Sequence, residues 1–207
     1  MGRYENFKAA LAKAKNEHDI DTYLKRNWKL LYGIGKLQHN KIIVDSEFYI
    51  GNSYRADFVI LSACSGYWQC DLIELQSPLD KIYTQKTEAS SGLREAIRQI
   101  EDWKIYIKRN EAIVREELAE IVGDIPAYCS NVDRHTYAKT EIRDPRTVID
   151  FQYRIVIGRR SSLTQLKNEH RYESRYEIIT YDRLLDYAKK LDVWDSERKS
   201  GQLEELF

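Results

Sequence analysis

The chain has 207 residues, with 33 Lys plus Arg against 33 Asp plus Glu, a formal net charge of zero and 43% hydrophobic positions. Charged residues reach 32%, but 15 Tyr, 4 Trp and 5 Phe exclude a disordered polyelectrolyte and predict one core-bearing domain over residues 1–207. No apolar run approaches the roughly 18 residues of a membrane helix, and Met1 to Glu5 lack the apolar stretch of a signal peptide, so a cytoplasmic protein with no membrane partner is expected.

The first elements are helical. Tyr4, Phe7, Leu11 and Ala14 recur at helical spacing, and Ile20, Tyr23, Leu24, Trp28 and Leu31 continue the pattern, with Asn16 as N-cap and Asp19 as its N3 acid. Residues 41–50 (K-I-I-V-D-S-E-F-Y-I) read as a strand, Gly51-Asn52-Ser53 as a turn and 55–63 as a second strand. Ser65-Gly66 turns again, and 67–76 is a third strand ended by Pro78, which cannot donate to a ladder. These three strands predict an antiparallel meander. Leu93, Ile97, Ile100, Trp103 and Ile107 then predict a long amphipathic helix that continues or restarts through Ile113, Leu118 and Ile121. Pro126, Pro145 and a scarcity of periodic apolar positions predict an irregular insert over 124–150. Strands at 151–158 and 176–179 enclose a short helix at 162–169, and a closing helix capped by Thr180 or Asp182 runs through Leu191. The order predicts an α/β fold: a mixed sheet, its antiparallel part first, flanked by helices.

Several chemistries find no support. Cys64, Cys70 and Cys129 are odd in number and lack a Cys-x-x-Cys pair, and His18, His39, His135 and His170 lack the spacing that would place two ring nitrogens on one metal. Nothing arranges Cys64 or Cys70 with a histidine as a nucleophile pair. Gly33-Ile34-Gly35-Lys36 lacks the spacing of a phosphate loop and precedes a strand.

The strands carry a more specific constellation. With a side-chain period of two, Trp68, Cys70, Leu72, Glu74 and Gln76 share one face, and Arg55, Asp57, Val59 and Leu61 share a face of the preceding strand. A hairpin brings Asp57 near Glu74. Two acids on a core-facing surface are costly unless a cation compensates them, and hard oxygen donors suit Mg²⁺ or Mn²⁺; the alternative is a pair of acids facing solvent at a sheet edge. From Arg134 to Arg175, ten Lys or Arg stand against five acids, a stretch suited to a polyanion.

Arg55-Ala56-Asp57-Phe58-Val59-Ile60, then Leu72-Ile73-Glu74-Leu75-Gln76-Ser77-Pro78, then a helix carrying Gln99 and Trp103, resembles the PD-(D/E)xK nuclease core, and within that superfamily the Shedu antiphage nuclease domain. Asn16-Glu17 with Ile20, Leu24, Asn27, Trp28 and Leu31, the phrase Arg94-Glu95-Ala96-Ile97-Arg98-Gln99-Ile100, the phrase Ile155-Val156-Ile157-Gly158-Arg159-Arg160 and the closing Ile178-Ile179-Thr180-Tyr181-Asp182-Arg183-Leu184-Leu185 extend the resemblance over about residues 16–190. It implies a Mg²⁺-dependent DNA endonuclease in which Asp57 and Glu74 hold the metal and the Leu75 carbonyl adds a ligand. Glu17 matches a leading-helix glutamate that helps hold a metal-bound water, or is an acid favoured by its helix N-terminus. Gln99 matches the glutamine on the helix after the motif, with an interfacial glutamine as the alternative. Gln76 departs from the common lysine: an amide can orient water but brings no charge, which Lys81 or Lys86 from the following loop would have to supply if they are not simply solvated. Arg159, Arg160, Lys167 and Arg171 are candidates to track the DNA backbone. The resemblance also implies a homo-oligomer, dimer or larger, in which the extra apolar positions Ile105 and Tyr106 meet a partner or else a second layer of the same core, and a sensing part that is either absent or supplied in trans. The alternative is a nuclease-fold module, catalytically weak or inactive, that binds nucleic acid or a partner protein.

Overall fold

The computed structural model describes residues 2–34, 41–64, 67–123 and 132–199. The expected Ser65-Gly66 turn, Gly35, Lys36, His39 and Cys129 lie outside the described residues, as do the side chains of Cys64 and His135. Five strands form one sheet in the order β1 (Lys41–Ile50), β2 (Tyr54–Cys64), β3 (Tyr67–Leu75), β4 (Val148–Val156) and β5 (Glu177–Ile179). β1, β2 and β3 pair antiparallel, as the meander predicts. Where β3 and β4 continue, Gln76 donates its N–H to the Val156 carbonyl at 2.8 Å and Gly158 donates to that of Ser77 at 3.2 Å. Partners that advance in the same direction mark a parallel pair. Ile157 to Ile179 and Tyr181 to Gly158 repeat the pattern toward β5, so the sheet is mixed. The chain divides into two interleaved compact units, one of Met1–Leu37, Leu75–Leu93 and Val156–Phe207 and the other of Gln38–Glu74 and Arg94–Ile155.

In the first unit, α1 (Arg3–Lys13) and α2 (Glu17–Arg26) bury Phe7, Leu11, Ile20 and Leu24. Asn16 caps α2 by accepting the Asp19 N–H at 3.1 Å. A 3₁₀ turn over Trp28–Gly33 follows, and a Cβ on Gly33 would lie 2.6 Å from the Tyr187 ring. That ring belongs to the closing helix, here α7 (Tyr181–Lys199). Asp192 of α7 accepts the backbone N–H groups of Arg3 and Tyr4 at 2.7 and 2.9 Å, supplying the cap that Gly2 cannot give α1. The short helix α6 (Gln165–Tyr172), capped by Thr164, precedes β5.

In the second unit, the β1–β2 turn is fixed by Gly51, whose φ of 62° favours glycine and whose N–H donates to Glu117 at 3.0 Å. A Cβ there would lie 1.9 Å from the Tyr106 hydroxyl. Tyr106 belongs to α3 (Ser91–Arg109) and meets Tyr54 edge to face, so this residue is committed inside the unit and only Ile105, 50% exposed, is left of the two expected partner-facing positions. α3 is followed by α4 (Glu111–Gly123).

Of the irregular insert expected over 124–150, residues 124–131 lie outside the described residues, and the expectation is corrected for 132–150. Val132–Arg143 form a helix, α5, and β4 begins at Val148. The periodicity is weak because Ala138 and Ile142 are the buried apolar side chains described on α5, and charge does the rest. Lys139 pairs with Glu120, and Arg143 bridges Glu116 and Glu120, all at 2.7 Å. Beneath them Arg115 of α4, its side chain 7% exposed, donates to the carbonyls of Ile142, Asp144 and Thr147 and to the Glu111 carboxylate. A helix held by ion pairs and one buried guanidinium leaves little hydrophobic signature.

Candidate functional site

The β2–β3 ladder decides where the acids go. Phe58 pairs with Ile73 and Val59 with Leu72, and one further step in this register sets Asp57 opposite Glu74. Directly opposite residues have Cβ atoms about 4.5–5.5 Å apart and project to the same face. Trp68, Cys70 and Leu72, which share that face of β3, are buried, so Glu74 is the polar end of an apolar row and is 5% exposed. Asp57 is half-buried.

Gln99, on α3, ties this corner together. Its Nε2 donates to Glu74 Oε2 at 3.0 Å and approaches the Arg55 carbonyl at 3.4 Å, two directions that match the two hydrogens of one amide. A neutral donor fixes the orientation of the carboxylate without itself carrying a charge. The other buried acid of β3 behaves differently. Asp71 points to the opposite face, where Arg154 Nε binds it at 2.7 Å and Gln69 at 2.9 Å, a closed structural pair. Burial, and then the charges of Asp71 and Asp150, pushes the Cys70 thiol well above its ordinary value, which excludes it as a thiolate nucleophile.

Two features of the same corner carry no sequence motif. Arg55, two residues before Asp57, forms a 3.0 Å ion pair with Glu47 of β1. Glu47 lies between Ser46 and Phe48, which pair with Phe58 and Ala56, so its place in the register is opposite Asp57, and its φ of 58° is left-handed. The pair's available signal was the alternation that puts Arg55 and Asp57 on one face; the left-handed residue left none.

The remaining expected site residues belong to the first unit. Leu75 is buried. Gln76 is 9% exposed, and its carbonyl accepts the Tyr181 hydroxyl at 2.8 Å. A Cβ on Gly92 would lie 3.1 Å from Gln76 Oε1 and 2.6 Å from Asp80 Oδ2, so glycine there lets both side chains approach. Burial raises the Asp80 carboxyl above its ordinary value. Lys81 and Lys86 are exposed, and Glu17 opens α2. Among the described residues no three His, Cys, Asp or Glu side chains gather as a ligand group.

The basic stretch is largely met from within. Arg159 forks onto Asp182, Arg160 Nη2 reaches Asp186 at 2.6 Å, and Arg171 donates to the Ile178 carbonyl at 2.7 Å and stacks over the Tyr172 ring. Burial pushes Asp182 up, but the bonds from Arg159 and the Arg160 N–H, with their charges, bring it below the ordinary carboxylate range. Lys167 is half-exposed. Acids outside the stretch supply the partners: Asp182 and Asp186 beyond Arg175, and Glu116, Glu120 and Asp71 before Arg134.

A family model described as Shedu protein SduA, C-terminal, matches residues 14–185. No curated protein matches the chain. Among the described residues no helix is long and apolar enough to cross a membrane.

Proposed function

The chain belongs to the Shedu family, and on that premise we propose that it is a Mg²⁺-dependent DNA endonuclease acting in antiphage defence. The observation that carries the reading is the cross-strand pair of Asp57 and Glu74 with Gln99 bound to the inner carboxylate. An antiparallel meander, a helix and then a parallel strand follow the order expected of a PD-(D/E)xK core, which supports the same reading.

The donor set fits the metal. Mg²⁺ is bound through one or two carboxylates and completes its shell with water and phosphate oxygens, so two facing acids suffice. Asp57 and Glu74 would hold it, with the carbonyl of Leu75, next in the chain, as a further oxygen donor. The bound cation would polarise a phosphate oxygen and acidify a water. Gln99 holds the Glu74 carboxylate in one orientation through a bond that ionisation strengthens. Gln76, two residues along from Glu74, is assigned the orientation of the attacking water through its amide. A homo-oligomer would supply a second site for the second strand, and Ile105 of α3 is the exposed apolar residue of that helix a partner would cover.

A second reading rests on Gln76 itself: with an amide in the lysine's place, the chain is a nuclease-fold module that binds without cutting. Incubation of linear, circular and single-stranded DNA with Mg²⁺ separates the two. Cleavage by the wild type that is lost in folded Asp57→Asn and Glu74→Gln supports the nuclease. Mg²⁺ binding with no cleavage of any substrate supports the module.

A further inference from the structure

We infer that Arg55 is a phosphate anchor of the candidate site, held in reserve by Glu47 and released to the nucleic-acid backbone when substrate arrives; the inference rests on the nuclease reading for its ligand. Arg55 lies on the strand face that carries Asp57, two residues away, and Asp57 faces Glu74. Any phosphodiester approaching the two carboxylates therefore passes within the reach of a long guanidinium side chain anchored one pleat along. Guanidinium is the group whose planar fork matches two phosphate oxygens.

Three observations bear on this arginine. Its backbone is fixed at the site, because its carbonyl lies beside the Gln99 amide that binds Glu74. Its ion pair is open: Arg55 and Glu47 side chains are 49% and 48% exposed, whereas the Arg154–Asp71 pair is 6% and 1% exposed. An exposed pair contributes little to stability and is readily exchanged for a better anion. Finally, the direct ladder partner of Arg55 is Tyr49, and the carboxylate comes instead from the diagonal neighbour Glu47, whose left-handed backbone departs from the regular strand. Left-handed conformations are disfavoured for residues with a side chain, and they persist where the surroundings hold them. Here the result is an acid placed beside a cation that the substrate would otherwise claim.

Glu47 thus competes with phosphate for Arg55. Before binding, the pair keeps an unmatched positive charge from adding to any cation held by Asp57 and Glu74. On binding, Arg55 turns to the phosphate, and the exposed contact it gives up with Glu47 costs little to lose.

The test is anisotropy of a labelled duplex at several salt concentrations without divalent cation, so that binding is read without hydrolysis. Arg55→Ala is expected to weaken binding about tenfold and to reduce the salt slope by about 1, the signature of one lost phosphate contact. Arg55→Lys should keep most of the slope, because the charge remains. Glu47→Gln should tighten binding several-fold, and the double variant should match Arg55→Ala, because relief from Glu47 matters only when Arg55 is present. Thermal melting checks that each variant is folded. An unchanged slope in Arg55→Ala, equal gains from Glu47→Gln with and without Arg55, or a wild type that binds no duplex would each overturn the assignment. A wild type that binds with these dependences but never cuts would leave the anchor standing and remove the nuclease reading.

Discussion

Glu74→Gln separates a metal site from an ordinary buried acid, because the two predict opposite changes in stability. Extending the ladder register sets Asp57 opposite Glu74, where cross-strand Cβ atoms are roughly 5 Å apart, so two charges at about that separation would be close neighbours. At an effective dielectric near 20 their repulsion is on the order of 3 kcal/mol without a cation. Glutamine removes that repulsion, keeps the shape and still presents an oxygen to the Gln99 amide. In metal-free buffer the variant should therefore melt at the wild-type temperature or above it, by up to several degrees at about 2–4 °C per kcal/mol. Magnesium should narrow the gap by acting on the wild type alone. For a dissociation constant on the order of 1 mM, 10 mM Mg²⁺ stabilises the wild type by about 1.4 kcal/mol, a rise of about 3–6 °C, and should leave Glu74→Gln unmoved. Calorimetric melting with EDTA and with Mg²⁺ reads both quantities on the same samples, and DNA cleavage should fall at least a hundredfold in the variant. A variant less stable than wild type in EDTA that responds equally to Mg²⁺ would refute the reasoning, since Glu74 would then be a structural acid.

Gln76→Lys should fold, because Asp80 Oδ2 and the Gln76 amide oxygen both lie beside Gly92, 2.6 and 3.1 Å from where its Cβ would be, which brings a carboxylate within reach of the ammonium, and it should cut DNA at least as fast as wild type; loss of thermal stability would place the side chain in a site that rejects charge. Asp80→Asn should raise the melting temperature at pH 7 and leave it unchanged near pH 3. Burial raises the folded-state pKa of Asp80, so the ionised folded form is disfavoured above that pKa while both states are protonated below the unfolded value; a gain at pH 3 would contradict this. Arg159→Ala should remove an opposing contribution, because Asp182 is held below the ordinary range and its stabilisation is lost as pH falls through the folded pKa. The wild type should lose stability below about pH 4 more steeply than the variant. Arg115→Met should cost about 3–5 kcal/mol in urea denaturation, since three carbonyls and Glu111 lose one buried partner; a loss under 1 kcal/mol would show that water replaces it.

Local pattern alone determined the meander, the long helix with Leu93, Ile100, Trp103 and Ile107 buried, the Asn16 cap and the strand faces that carry Asp57 and Glu74. Each rests on period two, period 3.6 or a cap within three residues, which a linear sequence displays. Tertiary structure alone decided the rest. α5 hid from periodicity because its support is Arg115 and the ion pairs to α4, partners 19 or more residues away. Arg159 and Arg160 acquire Asp182 and Asp186 as partners through the fold, from 22 or more residues further along the chain. Glu47 became a partner of Arg55 through strand register and a left-handed backbone. Charges act through space and have no sequence period, so where they matter most the chain order shows which groups exist, and only the folded chain shows which of them meet.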